Sequence, residues 1–190
     1  MPFPRILLAS VSPRRAELLA AAGLAFDVLP ADVDETRLAG EAPDVYCLRL
    51  ARAKAEAVAP AAEGRVVVAS DTIVVVETNV FGKPMDDPDA RRMLEALSGR
   101  RHEVLTGVAV LPPGGPVAVA VERTAVEFSS LTAGEIGWYV ESGEPRDKAG
   151  AYAIQGLASR FVARIEGSYS NVVGLPVAAV YRLLRDIDPH

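Results

Sequence analysis

The sequence predicts an α/β fold, and three observations carry that reading. Helical and extended patterns alternate along the chain from its first residues. The run VVVASDTIVVV, residues 66–76, lacks the polar alternation of a half-solvated strand and reads as a strand covered on both faces. The chain has 190 residues, half of them hydrophobic, which is enough for a substantial core in one domain.

The elements follow in order. A strand over 5–9 leads into a helix over 13–22, with Ser12 as N-cap, Pro13 as first helical residue and Gly23 as stop. A short strand over 26–29 precedes the acidic loop ADVDET, residues 31–36, and a helix over 43–59. The β-rich run RVVVASDTIVVVET comes next, then the loop FGKP. A helix capped by Asp87, with Pro88 at its first position, stops at Gly99. Strands over 103–111 and 117–128 flank the turn PPGGP. Thr132 and Glu135 are spaced as a capping box for a helix ending at Gly143. Residues 144–156 read as loop, 159–173 as mixed and 177–185 as a closing helix. With no repeat and no linker, residues 1–190 read as a single domain.

Bulk properties exclude several classes. The mean hydropathy of +0.20 is far from that of a disordered chain. A net charge of −5 gives no broad footprint for nucleic acid or an anionic membrane. The single cysteine, Cys47, allows no internal disulfide and no cysteine-rich zinc site. The ILLA run near the start is too short for a signal peptide, and no apolar run is long enough to span a membrane. A soluble, reducing, cytoplasmic setting is expected.

Against this background some residues strain against their surroundings. Arg14 and Arg15 occupy the second and third positions of the first helix, where the backbone is already positive and acids are favoured. Asp71 lies inside the doubly covered run, where an ionised carboxylate is costly unless paired, hydrogen-bonded or metal-bound; the bland alternative is a turn between two antiparallel strands. Only three of the 20 basic residues are lysine: Lys54, Lys83 and Lys148. On a helical wheel Lys54 falls in the apolar arc of Cys47, Leu48, Leu50, Ala51, Ala55 and Val58, while Arg49, Arg52 and Glu56 lie on the wet side. Such a lysine either snorkels at the arc's edge or points its ammonium at an anion. Glu35 reads alone as a solvated loop acid and Lys83 as a surface residue. Gln155, the single glutamine, follows an apolar run that puts it near the core. His102 reads as structural, and His190 as part of the tail.

A polyphosphate ligand reconciles these features. Its charge suits both arginine and a helix start. Lysines at 54 and 83 supply further cations, and acids at 35 and 71 can hold a divalent metal or activate water. No GxxxxGK[ST] motif is present.

The segments LASVSPRRAELL, DVDE, ASDTIVV, GKP, MLEALSGRRHEVLTGVAV, YVESGEPRDKAGAYAIQG and IEGSYSNVVGLP, in this order, resemble the Maf family of nucleotide pyrophosphatases over residues 6–184. The resemblance implies a long twisted mixed sheet with flanking helices, in two lobes around a cleft, related to inosine-triphosphate pyrophosphatases. It implies a cytoplasmic, frequently homodimeric enzyme that uses Mg2+ or Mn2+ to cleave a nucleoside triphosphate into monophosphate and pyrophosphate. Asp71 corresponds to the family's general base. Ser10, Arg15, Glu35, Lys54 and Lys83 correspond to phosphate and metal contacts, with Glu35 and Asp71 as the metal pair. Arg14, Thr72 and Gln155 match the specificity positions of the branch acting on dTTP and UTP. Ser70 stands where alanine is common. The alternatives are the 7-methyl-GTP branch, and a non-catalytic nucleotide-binding regulator, since the family is also associated with arrest of septum formation and with clearance of non-standard nucleotides.

Overall fold

A computed structural model describes residues 3–187 of the chain; His190 lies outside the described residues. The strands are β1 (Ile6–Ala9), β2 (Phe26–Val28), β3 (Val67–Val76), β4 (Asn79–Phe81), β5 (Arg101–Leu111), β6 (Ala118–Phe128) and β7 (Val162–Glu166). The α-helices are α1 (Pro13–Ala21), α2 (Pro43–Val58), α3 (Asp87–Leu97), α4 (Ala133–Glu141), α5 (Tyr169–Val173) and α6 (Val177–Ile187), with short 3-10 turns between some of them. The α/β fold is the expected one. Its seven strands form a mixed sheet in the order β2-β1-β3-β5-β6-β7, with β4 also paired to β3. β1 runs parallel to β2 and β3, whereas β4 is antiparallel to β3 and β7 to β6.

Contacts divide the chain into two compact units. The first comprises the chain up to Asp71, Thr106–Glu122 and everything from Gly174; the second comprises Thr72–Leu105 and Arg123–Val173. β3, β5 and β6 each belong to both.

In the first unit the parallel register Leu7↔Val67, Leu8↔Val68, Ala9↔Ala69 sorts side chains by strand alternation. Ile6, Leu8, Val68, Val108 and Val110 pack with Leu19 of α1 and with Val180 and Leu184 of α6. Leu7, Ala9, Val67, Ala69 and Ala109 pack with Ala51, Ala55 and Val58 of α2. Both faces are therefore covered, as the unbroken apolar run requires. Full burial of each large aliphatic side chain contributes about 1.5–3 kcal/mol. α2 approaches so closely that a Cβ on Gly107 would lie 2.4 Å from the Cys47 carbonyl oxygen. Only glycine fits there.

The second unit has an aromatic core. The Phe128 ring meets Tyr152 at 4.8 Å and His102 at 5.0 Å edge-on, and Tyr139 meets Phe161 at 5.4 Å in the same manner. Such geometry adds about 0.5–1.5 kcal/mol per pair beyond area burial. The capping box at α4 forms as expected, with the Thr132 hydroxyl accepting from the Glu135 N–H and the Glu135 carboxylate accepting from the Thr132 N–H.

Two local expectations differ. β4 lies where the sequence reading has no strand, since Asn79 and Val80 are unassigned and Phe81 falls in the loop FGKP; the turn at Glu77-Thr78 has no glycine to mark it, and Glu77 itself takes the left-handed conformation, φ +53°. The N-cap of α3 is Asp86, whose carboxylate accepts from the Asp89 N–H at 2.8 Å, and not Asp87. Asp87 instead receives both Nε and Nη2 of Arg146, each at 3.1 Å.

Candidate active site

β1 ends at Ala9, and Ser10 follows at the carboxyl end of a parallel strand, the usual ligand side of such sheets. The buried Ser10 hydroxyl accepts from the Ser12 N–H at 3.1 Å and from Nη1 of Arg15 at 3.4 Å. Nε of Arg15 donates to the Gly174 carbonyl at 2.9 Å, an oxygen that the Ser70 hydroxyl also reaches at 3.2 Å. Ser70 thus helps fix the same carbonyl that aims Arg15. Burial lowers the Arg15 pKa, partly opposed by the charge of Asp71. Ser12 sits at the N-cap position with extended backbone but makes no side-chain cap. The start of α1 therefore has no side-chain cap at Ser12 and carries Arg14 and Arg15 besides.

Asp71 is the fifth residue of β3, inside the strand, so it is not the turn residue of the bland reading. Its Oδ1 is 2.6 Å from Nζ of Lys54, and Glu35 Oε1 is also 2.6 Å from that nitrogen. The Lys54 and Asp71 side chains are about nine-tenths buried, while Glu35 is half exposed. The lysine does not snorkel: Lys54 is buried on α2 with its ammonium between two carboxylates. A buried ion pair of this kind is tolerable only because each charge has its counter-charge. The ammonium carries three N–H donors. Two are directed at acids, and the third can meet a phosphate oxygen.

The loop bearing Glu35 is pinned from α2. The Tyr46 hydroxyl donates to the Glu35 carbonyl at 2.7 Å. Arg49 forks onto Glu41, with Nε to Oε1 at 2.6 Å and Nη2 to Oε2 at 2.9 Å, and Nη2 also donates to the Thr36 carbonyl at 3.0 Å. Arg49, expected on the wet side of the helix, is instead half-buried by this use. Its hydrogen bonds hold the buried Glu41 carboxyl down at about 2. Neither Glu41 nor Tyr46 stood out in the sequence, since nothing local distinguishes an acid before a helix or a tyrosine on one.

Thr72, Lys83 and Gln155 belong to the second unit. Thr72 follows Asp71 on β3 and is half-buried. Lys83 is exposed on the loop after β4, where the Gly82 carbonyl accepts from the Gly150 N–H at 3.0 Å. Gly150 has φ +68°, and a Cβ there would lie 2.7 Å from Val74. Gln155 corrects the expectation of a near-core amide: Ile154 is buried, but the glutamine next to it is exposed.

The remaining reactive groups are quiet. Burial pushes the Cys47 thiol up to about 12, which keeps it protonated near neutral pH. Burial also pulls His102 down to about 4; its Nε2 lies 2.9 Å from the Tyr152 hydroxyl. Among the described residues no three His, Cys, Asp or Glu side chains converge as a metal cage. A hard cation such as Mg2+ needs less, since one or two carboxylates suffice when water and substrate phosphate complete its shell. Asp71 and Glu35, both within 2.6 Å of one nitrogen, fit that demand.

A protein-family description, Maf-like protein, matches residues 5–187. The chain is 58% identical over 185 residues to a dTTP/UTP pyrophosphatase of Anaeromyxobacter dehalogenans (strain 2CP-C), covering 96% of this chain and 93% of that protein. It is 55% identical over 182 residues to a dTTP/UTP pyrophosphatase of Geotalea uraniireducens (strain Rf4), covering 95% and 93%. Among solved structures, the Ham1 protein of Staphylococcus aureus matches with a TM-score of 0.55 at 16% identity, over 97% of this chain and 100% of that one. The last likeness concerns the fold alone.

Proposed function

The chain belongs to the Maf-like protein family, and we propose that it hydrolyses dTTP and UTP to the nucleoside monophosphate and pyrophosphate. The observation that carries this reading is the buried Lys54 ammonium held between Asp71 and Glu35 in the unit that also presents Ser10 and Arg15. Simple binding of a triphosphate needs cations; it does not need a buried carboxylate as well. The names of the relatives point to the same reaction.

In this reading Asp71 accepts the proton of a water molecule attacking the α-phosphorus, the bond from that phosphorus to the bridging oxygen breaks, and pyrophosphate leaves. Arg15, held by Gly174 and Ser10, and Lys54, through its third N–H, meet the charge that develops on the phosphate oxygens. Lys83, exposed on the loop after β4, adds a cation for the departing pyrophosphate. A divalent cation, held by Glu35 and Asp71, would supply further charge neutralisation along the triphosphate. Base selection falls to Arg14, Thr72 and Gln155. An arginine donor, a hydroxyl and an amide that both donates and accepts suit the O4, N3–H and O2 edge of thymine and uracil. Cytosine reverses part of that pattern. The reading extends to a cytoplasmic homodimer with no nucleic-acid partner.

The test is a comparison of kcat/KM for dTTP, UTP, dCTP and 7-methyl-GTP with magnesium and with manganese, identifying the first phosphorus-containing product. dTTP and UTP should lead, and pyrophosphate should appear directly. Orthophosphate as first product would remove the reaction; a lead for 7-methyl-GTP would remove the substrate assignment while leaving the reaction.

A further inference from the structure

We propose that Glu144 is a positioning residue for base selection: its carboxylate is the template on which the loop presenting Gln155 is wound. The inference rests on the assignment of Gln155 to base recognition. Glu144 opens the 3-10 turn Glu144–Asp147 after α4. Its Oε2 accepts from the Leu157 N–H at 3.0 Å, and its Oε1 from the Ala158 N–H at 3.4 Å. The Tyr139 hydroxyl donates to Oε1 at 2.8 Å and in turn accepts from the Ala153 N–H at 3.1 Å. Backbone groups on both sides of Gln155 are thus tied to one carboxylate, directly after it and through Tyr139 before it.

Gly156 closes the argument. A Cβ there would lie 2.1 Å from Glu144 Oε2 and 2.5 Å from its carboxyl carbon. The end of a glutamate side chain can ordinarily move away, but this one is fixed by three donors. The loop therefore lies directly against the carboxylate, with no side chain between. The amide of Gln155 is itself exposed, so nothing in its own packing sets its direction. Its aim must come from the backbone, and the backbone is held by Glu144. An exposed, loosely held amide would discriminate poorly, because selectivity by hydrogen bonding needs a donor and acceptor already in place.

The test measures kcat and KM for dTTP and dCTP in wild type, Glu144→Gln, Gln155→Ala and the double variant, with thermal unfolding alongside. Gln155→Ala should lower the dTTP-over-dCTP ratio of kcat/KM about tenfold, the worth of about one well-made hydrogen bond. Glu144→Gln presents an NH2 where a donor must be accepted; it should lower the ratio by a similar factor, mainly through KM for dTTP. The double variant should be no less selective than Gln155→Ala alone, since both act through one contact. Tyr139→Phe keeps the ring against Phe161 and removes only the hydroxyl link, so it serves if Glu144→Gln fails to fold; it should lower the ratio about threefold, roughly half that hydrogen-bond free energy. An unchanged ratio in Glu144→Gln, or in Tyr139→Phe, beside a reduced one in Gln155→Ala would overturn the positioning role and leave the Gln155 assignment standing. Additive losses in the double variant would do the same. An unchanged ratio in Gln155→Ala would overturn the assignment and the positioning role with it.

Discussion

The two units bury polar groups by different rules. Among the described residues, the buried charged side chains Glu41, Lys54 and Asp71 all lie in the first unit. The second unit buries His102, Thr124 and Asn171, all neutral, with His102 edge-on to Phe128 and Tyr152 and Asn171 donating to Thr124. A neutral group needs only a hydrogen-bond partner inside a protein; a charge needs a counter-charge as well, and even then the desolvation cost is barely met. The fold accepts the larger cost in one unit alone. That asymmetry puts the buried charge in the unit that also holds Ser10, Arg15 and Glu35 of the proposed phosphate machinery, whereas the uncharged Thr72 and Gln155 belong to the second.

The sharpest way to break the comparison is to remove charge from the first unit. Asp71→Asn preserves shape but cannot take a proton, and pyrophosphate release from dTTP should fall about 100-fold or more. Full activity in this variant would separate Asp71 from the chemistry. Lys54→Met tests the burial rule itself. The wheel alone suggests a harmless exchange of one long stem for another; the structure argues otherwise, because the substitution leaves Asp71 buried opposite no ammonium. Breaking such a pair should cost about 3–5 kcal/mol in urea unfolding. Lys54→Met combined with Asp71→Asn should regain most of that stability and none of the activity. A single variant as stable as wild type would mean that water already reaches Asp71.

Legibility in the sequence follows the same line. Asp71 and Lys54 were visible because each interrupts a pattern, one a doubly buried strand and the other an apolar helical arc. The alternation of helical and extended patterns and the spacing of Thr132 and Glu135 likewise mark the α/β fold and the α4 capping box. Groups that break no pattern stayed hidden. Glu41 and Arg49 are eight residues apart, and Glu144 meets Leu157 N–H thirteen residues on, so their partnerships exist only after folding. The Gln155 amide was misjudged because the apolar run before it ends one residue early, at Ile154. The β4 strand was missed because its turn spends backbone strain at Glu77 where a glycine would have announced it.

The neutral rule of the second unit has its own signature. His102 titrates near 6.5 when unfolded and is pulled down to about 4 by burial in the native state. The native state therefore binds fewer protons than the unfolded state between those values. Stability is complete above pH 6.5 and is lost as pH falls toward 4, by about 3 kcal/mol in all. His102→Gln should flatten that part of the profile, read as urea-unfolding free energy at pH 7, 5.5 and 4. An unchanged slope would place the titration elsewhere.

Glu41 gives the smallest effect and the finest separation of the two rules. Its carboxyl titrates near 4.5 when unfolded and near 2 when gripped by Arg49. Here the folded pKa is depressed, so the contribution is fully present above pH 4.5 and disappears as pH falls through 2. Glu41→Gln should therefore flatten only the profile between about 4.5 and 2, a window below that of His102. Arg49 is about one-third exposed, at 32% of its side chain, so solvent and ions weaken the grip. Raising salt to about 0.5 M, where the screening length is only a few ångströms, should shrink the Glu41 contribution and leave the His102 slope in place, because burial of a neutral ring is not screened. If salt flattened both windows equally, the contrast between a charge-paired unit and a neutral one would fail at its most exposed point.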